Sequence, residues 1–287
     1  MKKILKEISD NAAYTNTAMA FQKQEPGTTG DNPLDGDRLP DSVTVLENGN
    51  VALTLYAPNA KTVTAGLMER EQFPLIQNDN GIWEGVLPFP GYGLRTLDWH
   101  VDGNRVLNPN APVYFSYARP VNYVDIPDPE MDYILENGVP HGSVVIEYFQ
   151  SQVTGNCERC FVYLPPDYEK SDLDYPVLYL QHGGLENEGC WVFNGKVNFI
   201  MDNLLAWEKA IPCIIVMCNG SIRLPQEGIF DFQGVVDMLR NDCIPYIERK
   251  YRVRKEKWGR AMAGLSMGSM QTSIRNYLDI WGCSVAF

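Results

Sequence analysis

A five-residue run, Gly264-Leu265-Ser266-Met267-Gly268, constrains the fold of this chain more than any other feature. It lies between residues 260–263, which have the character of a short strand, and a helical segment that begins at Met267. A G-x-S-x-G run in that position predicts a sharp strand-to-helix turn that exposes the serine hydroxyl above a sheet. The simpler alternative is an ordinary tight turn in which Ser266 caps the helix.

A second run, His182-Gly183-Gly184, follows the apolar residues 177–181, which have the length of a buried strand. Glycine lets the backbone approach a ligand closely and present its N–H. With Ser266 as nucleophile, the pattern predicts an oxyanion hole formed by the N–H groups of Gly184 and Met267. For the His182 side chain we expect a structural role, with hydrogen bonds to neighbouring backbone.

Other candidate site residues carry weaker signals. Leu185 and Trp191 follow the His-Gly-Gly run, so either could line a substrate pocket, and core packing explains them equally well. His100 falls in a strand and His141 in a loop, and neither has a carboxylate partner at an informative spacing. We expect structural roles for both histidines.

From residue 143 to residue 287 the chain alternates apolar strand-like runs with helical stripes. Strands are predicted at 177–181 and 214–218, and helices over 197–205 and 232–243, with a kink or restart at Pro245. This alternation predicts the α/β hydrolase class, a mostly parallel sheet with helices on both faces. His182 and Ser266 would both follow carboxyl ends of strands, where ligands bind in such sheets.

The preceding residues have a different pattern. Residues 39–120 alternate with period two, as at Val51, Leu53 and Leu55, and predict an all-β, immunoglobulin-like sandwich. Residues 1–38 are predicted to form a helix and a polar loop, and the Pro- and Gly-rich residues 121–142 a linker.

The net charge and the cysteine content limit the kinds of molecule that this chain is expected to bind. A formal net charge of −12 argues against nucleic acid and against an anionic membrane surface. The seven cysteines are scattered, which indicates free thiols in a reducing compartment. Cys157 and Cys160 form a C-x-x-C, a weak zinc or redox signal because the two side chains of a strand at this spacing point to opposite faces. We expect no cofactor and no metal.

The first residues predict the location. Met1-Lys2-Lys3 could open a signal peptide, but the charged residues that follow leave no apolar segment. The sequence as written therefore predicts a cytoplasmic protein, and a secreted one if the start lies further upstream.

Four segments of the second half resemble carbohydrate esterase family 1, within the esterase D-like α/β hydrolases. They are CFVYLPPDY (160–168), YPVLYLQHGG (175–184), KVNFIMDNL (196–204) and AMAGLSMGSMQT (261–272). The resemblance covers residues 143–287. Residues 53–60 and 101–109 are similar to the immunoglobulin-like E-set modules that precede these esterases and are related to carbohydrate-binding modules.

The resemblance implies a serine carboxylic-ester hydrolase that acts on feruloyl or acetyl groups of xylan, with an esterified polysaccharide or oligosaccharide as substrate. Enterochelin esterases share a comparable layout, so a hydrolase of that kind is one alternative. A carbohydrate-binding protein or pseudoenzyme without catalysis is another. Exposed aromatic side chains would then contact the glycan, with Tyr92, Tyr114, Phe115 and Tyr117 as candidates.

The sequence departs from the family at one point. In this fold the catalytic acid and histidine follow the serine along the chain, and no histidine follows Ser266 here. Asp279 matches a structural position. We therefore expect a C-terminally truncated esterase with little activity of its own and an unpaired apolar sheet edge near residues 283–287. The oligomeric state is left open.

Overall fold

The computed structural model describes residues 42–68, 70–222, 231–274 and 279–287. The predicted N-terminal helix and polar loop, residues 1–38, lie outside these ranges. The described chain forms two compact units. Unit 1 contains the residues up to Phe115 together with Arg119–Glu136, and unit 2 contains Ser116–Ala118 and Asn137–Phe287.

Unit 1 is built from two mainly antiparallel sheets. The first has the order β1-β2-β6-β5, with β1 (Val43–Val45), β2 (Val51–Tyr56), β5 (Ile76–Gln77) and β6 (Ile82–Leu87). The second has the order β4-β3-β7-β10-β9, with β8 paired to β7. Its strands are β3 (Val63–Leu67), β4 (Gln72–Pro74), β7 (Gly93–Val101), β8 (Asn104–Val106), β9 (Val113–Ser116) and β10 (Arg119–Ile126).

The core of unit 1 lies between these sheets and confirms the predicted all-β class. Val51, Leu53 and Leu55 are buried on β2, with half-buried residues between them, as the period of two requires. They join the fully buried Trp99 of the second sheet in one apolar cluster.

The predicted start of the linker at residue 121 is wrong, because β10 runs on to Ile126. This strand pairs with β7 in antiparallel register, with Asn122 opposite Leu97. The buried Asn122 side chain also donates to the Asn108 carbonyl at 3.0 Å. The Pro and Gly residues that indicated a linker begin only at Pro127, after this strand has ended.

Unit 2 contains a six-stranded mixed sheet in the order β11-β12-β14-β13-β15-β16. The strands are β11 (Ser143–Gln150), β12 (Cys157–Leu164), β13 (Val177–Gln181), β14 (Ile214–Cys218), β15 (Arg260–Gly264) and β16 (Cys283–Ala286). The first two pairings are antiparallel, and β14, β13, β15 and β16 are parallel. The strands β13 and β14 have the predicted bounds.

The helices of unit 2 are α1 (Cys190–Phe193), α2 (Val197–Ala206), α3 (Phe232–Met238), α4 (Ile244–Lys250) and α5 (Met267–Thr272). A π-helical turn, Leu239–Cys243, joins α3 to α4, and Pro245 lies in the first turn of α4, as the predicted restart requires. Short 3₁₀ turns occur at Asp132–Ile134, Tyr168–Lys170 and Lys257–Gly259.

Helices pack on both faces of this sheet and bury two separate cores. One core joins Val162 and Val216 to Val235 of α3 and Ile247 of α4. The other joins side chains of the opposite sheet face, such as Tyr163, to Val197 of α2. The predicted α/β hydrolase class is therefore confirmed for unit 2.

Candidate active site

Ser266 occupies a strained turn between β15 and α5. Its backbone has φ 53° and ψ −110°, a conformation that non-glycine residues rarely adopt, and Ser266 is exposed. In the described residues its side chain makes no capping hydrogen bond to α5. The geometry therefore favours a nucleophile elbow over the simple capping turn.

The glycines that flank Ser266 are required by close packing. A Cβ at Gly264 would lie 2.3 Å from the carbonyl carbon of Gly268, and a Cβ at Gly268 would lie 2.7 Å from the carbonyl oxygen of Gln181. Strand, turn and helix therefore approach more closely than any side chain allows. This contact gives both glycines of the motif a physical reason.

The register of the sheet brings the Gly184 loop beside the Ser266 turn. The strands β13 and β15 are parallel neighbours, with Gln181 opposite Gly264. The Leu265 N–H donates to the Gln181 carbonyl at 3.2 Å, just where both chains leave the sheet. Met267 opens α5, so its N–H has no acceptor within the helix. Gly184 is exposed in the adjoining loop.

The loop after β13 is held by a carboxylate and a histidine. Glu186 Oε2 accepts from the Gly183 N–H at 3.0 Å. His182 is 1% exposed, and its Nε2 accepts from the Gly220 N–H at 2.9 Å. Since Nε2 is an acceptor, the proton lies on Nδ1, which donates to the Gly183 carbonyl at 2.7 Å. Both ring nitrogens therefore bind backbone, and the predicted structural role of His182 is confirmed.

Two of the groups that support this loop were missed by sequence reasoning. Glu186 bonds to Gly183 three residues earlier, a short-range pattern that the sequence could have suggested. Gln271 of α5 donates through Nε2 to the Gly220 carbonyl at 2.9 Å. Gly220 thus connects β14 to both His182 and α5. Its partners are 38 and 51 residues away along the chain, so no local pattern indicates them.

The two weaker candidates differ in their surroundings. Leu185 has a left-handed backbone with φ 63° and is 39% exposed beside the Gly184 loop. Trp191 is half-buried and packs against the apolar cluster that contains Phe161 and Leu180. Leu185 therefore stays a candidate for contact with substrate, while the surroundings of Trp191 favour core packing.

His141 differs from expectation, because it has a carboxylate partner. Its Nδ1 lies 2.9 Å from Oδ2 of the buried Asp202, which is 61 residues away on α2. Asp202 Oδ1 also accepts from the Gly142 N–H at 2.9 Å and from the Tyr163 hydroxyl at 2.7 Å. Burial and this carboxylate raise the pKa of Tyr163 well above its ordinary value. Through these bonds, Asp202 of α2 holds the residues that precede β11 in place and also binds Tyr163 of β12.

One of the four aromatic residues proposed to contact glycan is buried. Tyr114 is 7% exposed, and its ring packs edge-on against Tyr123 at 5.2 Å. Its apolar neighbours in unit 1 remove it from the surface, so the expectation of an exposed side chain is wrong. Tyr92 and Tyr117 are exposed, and Phe115 is half-buried.

No helix in the described ranges of the chain is both long and apolar enough to cross a membrane.

The strand order, the Ser266 turn and the adjoining glycine loop are those of the α/β hydrolase class. Residues 151–272 match the family model described as putative esterase. The matched segment lies within unit 2 and contains the Ser266 turn.

The relatives include xylan-degrading enzymes. An endo-1,4-beta-xylanase/feruloyl esterase of Xylanibacter ruminicola is 35% identical over 241 residues, which are 80% of this chain and 33% of that protein. Endo-1,4-beta-xylanase Y of Acetivibrio thermocellus is 28% identical over 171 residues, 55% of this chain and 15% of that protein. The chain thus spans a third or less of the length of these relatives.

Among solved structures, enterochelin esterase from Shigella flexneri superposes with a TM-score of 0.62. The match covers 85% of this chain and 72% of that chain at 11% sequence identity. At this identity the likeness shows a shared fold.

Proposed function

We propose that this protein hydrolyses carboxylic esters on a plant polysaccharide, feruloyl or acetyl groups on xylan, with Ser266 as its nucleophile. The observation that carries the proposal is the strained, exposed Ser266 between two glycines that tolerate no side chain. The substrate class is supported by the 35% identity to a protein named xylanase/feruloyl esterase.

In this mechanism the Ser266 hydroxyl oxygen attacks the ester carbonyl carbon, and the carbonyl oxygen becomes an oxyanion. The N–H groups of Met267 and Gly184 would donate to it. One such donor typically contributes about 3 kcal/mol to the transition state. The sugar alcohol leaves, and water then hydrolyses the acyl-enzyme.

The mechanism also needs a base to accept the Ser266 proton. His182 is unsuited to this task, because both of its ring nitrogens are bound to backbone groups. The family resemblance places the base and its acid partner after the serine along the chain. We therefore assign neither the catalytic base nor its acid partner to any of the residues described above.

The test uses the product of the complete open reading frame, assayed with methyl ferulate and with an aryl acetate. Ser266→Ala should lower kcat/KM by at least about a thousandfold on both esters. The matched control is Ser273→Ala, which removes an exposed hydroxyl at the end of the same helix. Turnover of the Ser266→Ala variant at the unsubstituted rate would refute the assignment.

A second candidate function, glycan binding by unit 1, is favoured by one observation. Phe89 and Tyr92 are both 43% exposed and lie edge-to-face with ring centroids 5.1 Å apart. Exposed aromatic rings offer apolar faces against which sugar rings pack.

Affinity electrophoresis on xylan and starch tests this function in the Ser266→Ala background, where bound glycan is not turned over. We expect Tyr92→Ala to abolish the retardation. Ile76→Ala, which truncates a 79% exposed side chain on β5 of unit 1, should keep it. If both variants are retarded equally, Phe89 and Tyr92 do not form a glycan site. The same conclusion follows if the unsubstituted chain is not retarded at all.

A further inference from the structure

Three cysteines from separate elements of unit 2 meet inside its apolar core. Cys160 of β12 lies opposite Cys218 of β14, and Cys243 ends the π-helical turn above them. Their sulfur atoms all lie within 4.8 Å of one another, and those of Cys218 and Cys243 are 3.3 Å apart. Each residue is at most 1% exposed. The scattered cysteines of the sequence thus contain a compact cluster.

We propose that Cys160, Cys218 and Cys243 bind one soft metal ion, of the class of zinc, cadmium or cuprous copper, through their three sulfur atoms. The site would be structural and independent of the ester chemistry. It departs from our expectation that the chain holds no metal.

The spacing of the sulfurs suits such an ion. Zinc–thiolate bonds are about 2.3 Å long, so three sulfurs around one ion in a plane lie about 4 Å apart. The separations in the cluster, from 3.3 Å to less than 4.8 Å, bracket this value. The sulfurs of Cys218 and Cys243 would move apart from 3.3 Å to about 4 Å to complete the triangle.

The donor set selects the class of ion. Thiolates prefer soft ions over magnesium or calcium. Within the described residues, no histidine or carboxylate joins the three sulfurs as a fourth ligand. The cluster therefore suits ions that accept three sulfur ligands in an apolar site.

The charges near the cluster also favour a cation. The carboxylates of Glu147 and Asp242 lie close enough to act on the thiols electrostatically. A divalent ion that binds three thiols releases three protons to solvent and leaves one negative charge at the site.

The position of Cys243 is a further sign of a specialised site. It lies in a π-helical turn, and such insertions into helices are frequent at functional sites. The test below also distinguishes metal binding from two other roles for the three cysteines. The thiols could serve only as small apolar core groups, or Cys218 and Cys243 could form a disulfide, for which their sulfurs would have to approach to about 2.05 Å.

The experiment uses the full chain with the exposed Cys157 and Cys283 changed to serine, so that surface thiols do not bind metal. The reduced protein is unfolded and refolded with Cd²⁺, because a buried site fills most readily as the chain folds. Equilibrium dialysis and the ultraviolet thiolate-to-cadmium absorption band measure binding.

We expect one Cd²⁺ per chain. Loss of any one ligand should weaken Cd²⁺ binding by more than about tenfold, the loss typical when a residue outside the ligand set is changed. The variants to test are Cys160→Ala, Cys218→Ala and Cys243→Ala. The matched control is Cys213→Ala, which removes a largely buried thiol outside the cluster and should leave binding unchanged. Near-ultraviolet circular dichroism without metal shows whether each variant has folded.

The proposal is overturned if the folded parent chain retains no Cd²⁺, or if the folded cluster variants retain as much as the parent. It is also overturned if mass spectrometry finds a Cys218–Cys243 disulfide in protein purified anaerobically with metal. Because none of these readouts measures ester hydrolysis, the proposal fails or stands separately from the proposed function.

Discussion

Single atoms decide whether the Ser266 turn can form. A methyl group at Gly268 would lie 2.7 Å from the Gln181 carbonyl oxygen and 2.9 Å from the Gln181 Cβ. Real Cβ atoms do not approach other atoms so closely, and both neighbours belong to the buried end of β13. The motif glycine is therefore needed for packing, in addition to any role in the chemistry.

Gly268→Ala should accordingly destabilise the protein by about 1–3 kcal/mol, the usual cost of inserting a methyl group into a packed interior. Urea denaturation followed by tryptophan fluorescence measures the change. Met270→Ala, which truncates a 56% exposed side chain on the same helix, is the control and should change stability far less. Equal stability of the two variants would show that the turn relaxes easily.

The sequence predicted the residues of this turn but not their long-range partners. The G-x-S-x-G and His-Gly-Gly runs are local patterns with a known physical meaning, so Ser266 and His182 could be interpreted from the sequence. The pair of His141 with Asp202 and the cluster of three cysteines join residues 25 to 83 positions apart. Only the folded chain brings them together.

At the level of secondary-structure elements, the buried carboxylate of Glu147 links the edge strand β11 to α4 and to Tyr251, which follows α4. Glu147 Oε2 accepts from Lys250 Nζ and from the Tyr246 hydroxyl, each at 2.6 Å, and Glu147 also accepts from Tyr251. Burial acts to raise the pKa of Glu147, but these hydrogen bonds outweigh it and lower the pKa below its ordinary value.

This lowered pKa predicts a pH dependence. Since the folded state binds the Glu147 proton less readily than the unfolded state, its stabilisation is present above the ordinary glutamate pKa of about 4.3 and is lost as the pH falls through the folded value. Glu147→Gln should therefore reduce the loss of unfolding free energy between neutral and acidic pH. Urea melts over that range measure it.

The control for this pH experiment is Glu169→Gln, at an exposed position beyond β12. It should keep the pH dependence of the unsubstituted chain. The same dependence in the Glu147→Gln variant would show that other groups cause it.

Element prediction succeeded where burial leaves a simple pattern. The runs 177–181 and 214–218 became β13 and β14 because parallel strands covered on both faces are continuously apolar. It failed at β10, where the proline and glycine residues that follow the strand outweighed its own apolar residues. The π-helical turn before Pro245 was predicted as an interruption, but its type depends on packing against the sheet.

At the scale of the whole molecule, the class follows from two sequence patterns that change near residue 140. Alternation of period two indicated the sandwich of unit 1, and alternation of strands with helices indicated the mostly parallel sheet of unit 2. The exact boundary did not follow, because unit 1 continues through Glu136. The identity of the ester also depends on side chains around the site, which no periodic pattern encodes.

During turnover Ser266 should form a covalent acyl intermediate. The most direct test treats the product of the complete reading frame with an aryl phosphonate analogue of a ferulate ester and maps the modified peptide by mass spectrometry. We predict one adduct per chain, located on Ser266, with protection by methyl ferulate and no adduct in Ser266→Ala. An adduct on another residue, or unchanged labelling of Ser266→Ala, would contradict this account.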